Sequence, residues 1–237
     1  METLFTYSKN FISDILFPKF CLGCQKEGSY LCNDCLATIE ITEYLFCPGC
    51  QKRKDDGRPC KICQRFVKLD GLYFATPYQN RLVKELINKF KYEPLIKELA
   101  KSLASLIITH FQILGKQDLS CFALIPIPLG KKRLKWRGFN QAEEIAKELA
   151  NFLEVPLWTN VLSKIKRTLP QVKIEEKNKR KGNVLGIFNC RNPERIKNKK
   201  ILLVDDVYTT GSTMNEAAKV LKKVGAREVW GAVVARG

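Results

Sequence analysis

Eight of the ten cysteines fall between Cys21 and Cys63 as four C-x-x-C pairs: Cys21/Cys24, Cys32/Cys35, Cys47/Cys50 and Cys60/Cys63. No other feature limits the possible folds as strongly. A C-x-x-C turn points two sulfurs at one tetrahedral centre. Two such turns supply the four soft ligands that Zn²⁺ takes in closed structural sites. Seven residues separate the first two pairs and nine the last two, each about the length of a tight hairpin. Grouped in sequence order, the pairs make two Cys₄ sites, a double zinc ribbon; the spacing leaves an interleaved grouping open. Disulfides or redox-active dithiols are the competing use. The opening METLFTYSKNFISDILFPKF has no separate basic start, apolar centre and small-residue cleavage site. A secreted disulfide scaffold is therefore not expected, and a cytoplasmic protein is. Neither Cys₄ set spares an open position, so its zinc is expected to be structural. It would hold together a segment too poor in apolar residues to fold alone.

The 237 residues, 45% hydrophobic and 27% charged, suffice for one sizeable core and a small satellite. The boundary is expected at 68/69: an N-terminal helix and double zinc ribbon over 1–68, then a second domain over 69–237. No apolar run approaches the roughly 20 residues that span a bilayer, so no membrane span is expected. The formal charge of +17 is unevenly placed. Residues 1–130 carry net +4, residues 131–200 net +12 and residues 201–237 net +1. A local basic excess points to a polyanionic partner, nucleic acid or a phosphorylated small molecule; the competing reading is a solvated basic face.

Periodicity predicts an amphipathic helix over 4–17, a strand over 70–78, helices over 81–92 and 95–111, and a buried strand over 122–127. A helix follows over 140–153, with Ala142, Ile145, Ala146, Leu149 and Ala150 on one face. Residues 160–183 read as a mobile polar loop or partial helix. A buried strand over 200–205, a helix over 213–224 and a strand over 229–235 complete the chain. No internal repeat is evident beyond the knuckles. Strands alternating with helices argue for an α/β parallel sheet.

The segment Ile201–Met214, ILLVDDVYTTGSTM, carries the chemistry. Four apolar residues make an inner strand, and Asp205 and Asp206 are expected at its C-terminal end. Thr209, Thr210, Gly211, Ser212 and Thr213 then lead into a helix. In open α/β sheets, ligands bind outside the carboxyl ends of strands. A hydroxyl-rich turn around a glycine, opening onto a helix N-terminus, is an anion cradle. Carboxylates beside a phosphate repel it, so their partners are hydroxyls, directly or through Mg²⁺. The parts together suit a sugar phosphate. A Walker B strand would need a G-x-x-x-x-G-K-[ST] loop elsewhere, and the sequence has none.

VDDVYTTGST resembles the phosphoribosyl-pyrophosphate (PRPP) loop of type I phosphoribosyltransferases. PIPLGKKRLKWRGFNQAEEIA (126–146) resembles the P-x-P-L…R-G-F-N-Q segment of the ComF/GntX-like branch. RTLPQ…RKGNVLGIF (167–188) is similar to that branch's R-T…Q…R-x-x-N-V-x-G-x-F stretch. The cysteine knuckles and the terminal VARG also match. The tract QVKIEEKNKRKGN departs from the family pattern by an apparent extra residue before Arg180. The resemblance implies a Rossmann-like phosphoribosyltransferase core behind a zinc-binding N-terminal domain, in a family linked to late competence and uptake of DNA. It implies that Thr209–Thr213 hold a 5′-phosphate, and that Asp205 and Asp206 bind ribose hydroxyls and help position Mg²⁺. Lys131, Lys132, Arg133 and Arg137 would offset pyrophosphate charge. Arg167 and Arg180 could close over the site.

Three functions follow as expectations: phosphoribosyl transfer from PRPP to an unidentified acceptor, single-stranded DNA binding as an accessory of DNA uptake alongside competence proteins, and PRPP sensing without turnover. The lone His110 is expected to take a packing or a surface role, with no motif to support catalysis built on it. Cys121 and Cys190 are expected in or near the core. The three tryptophans form no aromatic ladder with the basic residues.

Overall fold

The computed structural model describes residues 18–115, 119–165 and 186–237. The predicted helix over 4–17 lies outside them, as do Arg167 and Arg180. The elements in order are a short helix α1 (Asn33–Ala37), strand β1 (Gly71–Pro77), helices α2 (Arg81–Lys91) and α3 (Leu99–Ile113), strand β2 (Phe122–Pro126), and helices α4 (Lys131–Arg137) and α5 (Gln141–Leu153). Strands β3 (Leu162–Lys164), β4 (Phe188–Cys190) and β5 (Lys200–Tyr208), helix α6 (Ser212–Lys223) and strand β6 (Glu228–Arg236) follow.

Four strands form one parallel sheet in the order β1-β6-β5-β2. Each inner strand reads as a continuous apolar run because both faces are covered. Ile201, Leu202, Leu203 and Val204 are fully buried. One face packs Tyr73, Leu124 and Leu202 against α2, α3 and α5. The other packs Leu72, Ile125 and Leu203 against α6 and the β3–β4 hairpin. The predicted apolar face of α5 is buried as its 3.6-residue spacing requires.

The cysteine-rich segment runs along the β1 edge. The Thr42 N–H donates to the Ala75 carbonyl at 2.7 Å, and the Thr42 carbonyl accepts from Nδ1 of His110 at 2.6 Å. Leu31 and Ile39 of the first ribbon join one core face, and Phe46 and Val67 pack on the other. At the opposite edge, Pro156 and Trp158 pair their backbones with Leu124. Both sheet edges are thus covered, which removes the open ladder that invites association.

Two expectations change, and a segment left unassigned gains an element. The stretch read as a mobile loop or partial helix opens with strand β3, which pairs antiparallel with β4; a three-residue strand is too short for period 2 to show. Residues 131–137 form a helix of their own, closed by Gly138 in the left-handed conformation. Cys121 is exposed, because β2 enters the core only at Phe122. Of the packing and surface roles left open for His110, the structure gives packing, 1% exposed.

Candidate functional site

The sulfurs resolve the pairing that spacing left open. Cys21, Cys24, Cys32 and Cys35 form one set and Cys47, Cys50, Cys60 and Cys63 another, the ligand atoms of each within 4.8 Å of one another. Sγ atoms of Cys24 and Cys32 lie 3.6 Å apart, and those of Cys50 and Cys60 lie 3.8 Å apart. A tetrahedron with Zn–S near 2.3 Å has edges of about 3.8 Å, whereas a disulfide needs about 2.05 Å. Backbone N–H groups point at the sulfurs: Cys32 N at Cys21 Sγ and Cys60 N at Cys47 Sγ, both 3.4 Å. Burial alone would raise the Cys21 and Cys47 thiols, but these donors bring each down to about 6, toward the thiolate a metal binds. In the same sets a hydrogen bond to the Cys24 sulfur pushes the Cys35 thiol up to about 12, and burial, with a hydrogen bond to the Cys60 sulfur, pushes Cys63 up to about 12, so thiolate and thiol share each cluster. The four-sulfur donor set and its spacing fit a structural Zn²⁺ in each ribbon. The two knuckles also repeat each other, F-C-x-G-C-Q-K at Phe20 and again at Phe46, with Gln25 and Gln51 both at φ 63°.

The phosphate-type loop sits where β5 hands over to α6. Contrary to expectation, the acids do not cap the strand. Strand β5 continues through them to Tyr208, because β6 runs to Arg236 and supplies ladder partners for Asp205, Val207 and Tyr208. Successive residues of a strand face opposite ways. Asp206, 6% exposed, forms an ion pair with Lys91 at 2.8 Å, from the end of α2. Asp205, partly buried, accepts from the Asp206 N–H at 2.9 Å and feels Lys164 on β3. Loss of water around its carboxyl, and then the Asp206 charge, push Asp205 up to about 7, with Lys91 pulling the other way. Lys164 is exposed; desolvation of its ammonium and the nearby Arg133 charge hold it below its ordinary range, and Asp205 opposes them.

Beyond Tyr208 the chain turns through Thr209 and Thr210 to Gly211, whose φ of 70° no β-carbon favours. A β-carbon there would also collide with the Tyr208 hydroxyl. Thr210 Oγ1 and Ser212 Oγ are 2.9 Å apart, and the Ser212 N–H reaches Thr210 Oγ1 at 3.4 Å. Asp205 and the residues from Val207 to Met214 line a cavity of about 40 Å³, at the N-terminus of the twelve-residue helix α6. A larger cavity of about 580 Å³ lies between this loop and the second ribbon, lined by Pro48, Gly49, Phe66 and Val67 on one side and Gly211, Ser212 and Asn215 on the other.

The basic residues after β2 divide into two groups. Lys131, Lys132 and Arg133 are exposed in the first turn of α4, where the helix dipole disfavours cations. Arg137 is buried: its Nη1 donates to Gln141 Oε1 at 2.9 Å, and its guanidinium lies over the Tyr92 and Trp136 rings. Gln141 Nε2 donates to the Phe90 carbonyl at 2.9 Å, and Asn140 Nδ2 to the Ile127 carbonyl at 3.1 Å. The R-G-F-N-Q segment therefore grips the end of α2, one residue from Lys91. Among the described residues, Arg137 Nε and Asn140 Oδ1 are buried without hydrogen-bond partners. Gly130 lies beside the Lys164 side chain, which brings the hairpin over the β2–α4 turn. Lys91 and Lys164 escaped the sequence reading, since nothing near them in sequence marks them as partners of Asp206 and Asp205.

Comparison with known proteins agrees with this architecture. The phosphoribosyl transferase domain profile matches residues 137–237, and the double zinc ribbon domain profile matches residues 12–64. Competence protein ComFC of Streptococcus pneumoniae is 30% identical over 210 residues, covering 86% of this chain and 87% of that protein. Competence protein F of Haemophilus influenzae is 29% identical over 233 residues, covering 86% and 96%. DNA utilization protein YhgH of Salmonella typhimurium is 27% identical over 213 residues, covering 84% and 88%. The fold and the two cysteine sets define a protein with a type I phosphoribosyltransferase core, its parallel sheet Rossmann-like, joined to an N-terminal double zinc ribbon. The chain belongs to the ComF/GntX-like family, whose named relatives here are competence and DNA utilization proteins. Among the described residues, no helix is long and apolar enough to cross a membrane.

Proposed function

We propose that this chain binds PRPP with Mg²⁺ and transfers its phosphoribosyl group to an acceptor the sequence does not name. The observation that carries the reading is the Thr209–Thr213 cradle, built directly on the strand that holds Asp205 and Asp206, with Asp205 lining the same cavity. The unit we assign to it is 69–237. The backbone N–H groups and hydroxyls of Thr209, Thr210, Gly211, Ser212 and Thr213 would hold the 5′-phosphate. Asp205 and Asp206 would accept from the ribose hydroxyls. Asp205, which lines that cavity and is raised to about 7 by lost hydration and the Asp206 charge, would be relieved by a cation bound with the ligand, while Asp206 already has Lys91 as its counter-ion. Mg²⁺ held there would supply charge neutralisation for the pyrophosphate.

As the bond from C1 to pyrophosphate lengthens, the ribose gains positive and the leaving group negative charge. Lys131, Lys132 and Arg133, with Lys164 opposite, would stabilise the leaving group; an anion there would also relieve three cations at the positive end of a helix. Arg137, whose buried Nε has no hydrogen-bond partner among the described residues, would add its charge. Arg167 and Arg180, outside the described residues, keep the role the family resemblance implies for them, cationic partners of the same ligand. Titration of the full chain with PRPP and Mg²⁺ by calorimetry tests the reading. Asp205→Asn with Asp206→Asn should weaken binding about tenfold or more, a loss of about 1.4 kcal/mol. Unchanged affinity in that variant sinks the assignment.

A second reading, single-stranded DNA binding in the service of DNA uptake with competence proteins, is favoured by the net +12 of residues 131–200. It predicts affinity falling with salt at a slope of about −0.7 per phosphate contacted. Insensitivity to salt would exclude it. The same chain can carry both, and PRPP sensing without turnover differs only in releasing no pyrophosphate.

A further inference from the structure

The two ribbons are alike in sequence and differ in what they touch. In the first, the Leu22 N–H bonds within its own ribbon to the Tyr30 carbonyl. The corresponding residue of the second is Pro48, between ligands Cys47 and Cys50. Its carbonyl accepts from the Tyr208 hydroxyl at 3.2 Å and from Arg236 Nη2 at 3.1 Å, while Arg236 Nη1 donates to the Cys47 carbonyl at 3.3 Å. Both donors are buried, Tyr208 at 4% and Arg236 at 6% exposure. Among the described residues no carboxylate pairs with Arg236; its guanidinium lies over the Phe74 and Tyr208 rings. A Zn²⁺ held by four thiolates carries an excess of two negative charges, the nearest compensation such a buried cation can find.

Tyr208 is also the floor of the cradle, since its hydroxyl occupies the space where a Gly211 side chain would begin. A second tie runs through α6: Asn215 Nδ2 donates to the Phe66 carbonyl at 3.1 Å, and Asn215 Oδ1 accepts from the Lys68 N–H. Each end of the second ribbon is thus fastened to the loop or to the first turn after it. The second knuckle has backbone bonds of its own, from the Cys47 N–H to the Lys52 carbonyl at 2.8 Å and from the Gln51 N–H to the Cys47 carbonyl at 3.1 Å. Beyond the Cys60 N–H on the Cys47 sulfur, only the metal ties it to Cys60 and Cys63, so metal loss loosens the geometry that presents the Pro48 carbonyl.

We propose that Tyr208 and Arg236 are positioning residues that couple the second zinc ribbon, and not the first, to the phosphate loop, so that metal occupancy at Cys47/Cys50/Cys60/Cys63 and anion binding at Thr209–Thr213 each strengthen the other. The anion half rests on the function proposed above; the coupling itself does not. The coupling is reciprocal by linkage.

Amide hydrogen exchange on the zinc-loaded full chain tests it directly. Tyr208→Phe should retain two zinc ions per chain by elemental analysis, yet speed exchange in both 209–215 and 47–50 about fivefold or more. Cys50→Ser should speed exchange in 209–215, whereas Cys24→Ser, in the first ribbon, should leave that segment as in wild type. In wild type, ribose 5-phosphate should slow zinc release to a chelator from one ribbon only, the one that Cys50→Ser removes. Unchanged exchange in Tyr208→Phe overturns the proposal, as does equal acceleration by the two cysteine variants. Should Cys50→Ser fail to fold, Tyr208→Phe decides alone. If ribose 5-phosphate does not bind wild type, that failure falls on the phosphoribosyl reading, and the exchange comparison still decides the coupling.

Discussion

Asp205 and Asp206 stand next to each other in sequence and live in different environments. Asp206 has Lys91 as a buried counter-ion, while Asp205 loses water and faces its neighbour's charge. An acid whose folded pKa is raised costs stability as pH rises from its unfolded value, 3.8, through about 7. Asp205→Asn should therefore match wild type in thermal unfolding near pH 4 and exceed it at pH 8. The gap should be about 2–4 kcal/mol, since each pKa unit is worth about 1.4 kcal/mol. A gap that does not widen with pH refutes the raised pKa. Such a cost is expected where function needs carboxylates close together. Lys91→Met removes the partner of a buried carboxylate and should destabilise by about 3 kcal/mol in urea unfolding at pH 8. Adding Asp206→Asn should recover part of that loss, because the orphaned charge disappears with it. Additive losses would mean the pair is not coupled.

Among the elements, the covering of the β1 edge depends on one titratable contact. His110 of α3 donates from Nδ1 to the Thr42 carbonyl, and its buried Nε2 has no partner among the described residues. Burial pushes the ring down to about 4, with the bond to Thr42 opposing. The unfolded chain takes up this proton near pH 6.5 and the folded chain only near pH 4. Stability is thus full above about pH 6.5 and falls as pH drops through that window, by about 3 kcal/mol in all. Urea unfolding of wild type and His110→Gln between pH 4 and 7.5 checks this; the variant should lose the His-dependent slope. Helix α5 makes the complementary case. Its apolar face was legible from spacing alone, but its first residue Gln141, which ties Arg137 to Phe90, was legible only as a match within the R-G-F-N-Q block. Gln141→Ala strands a buried carbonyl and a guanidinium and should cost about 1–3 kcal/mol by chemical denaturation; a cost near zero would show that the clamp is not needed.

At the scale of the whole molecule, the ribbons are a lateral wall of the sheet rather than a detached module. They add apolar side chains to both core faces and close the β1 edge. Zinc removal by a strong chelator should therefore lower the melting temperature of the full chain, increase binding of a hydrophobic dye and promote association through the uncovered strand. A core that melts unchanged after complete zinc removal would show the ribbons to be dispensable to it.

The sequence by itself determined the four C-x-x-C knuckles, the parallel apolar strands, the hydroxyl-rich turn around Gly211 and the family, because each is written in short-range spacing: sulfurs three residues apart, apolar runs, small residues around a glycine. Which knuckles share one metal set was decided by the tertiary structure. It did not reveal how far β5 continues, since that is fixed by the length of β6 alongside it. Nor did it reveal Lys91 against Asp206, or Tyr208 and Arg236 against Pro48. Those pairs join residues far apart along the chain, and only the packing of ribbons and helices on the sheet brings their charges and hydrogen-bonding groups within reach.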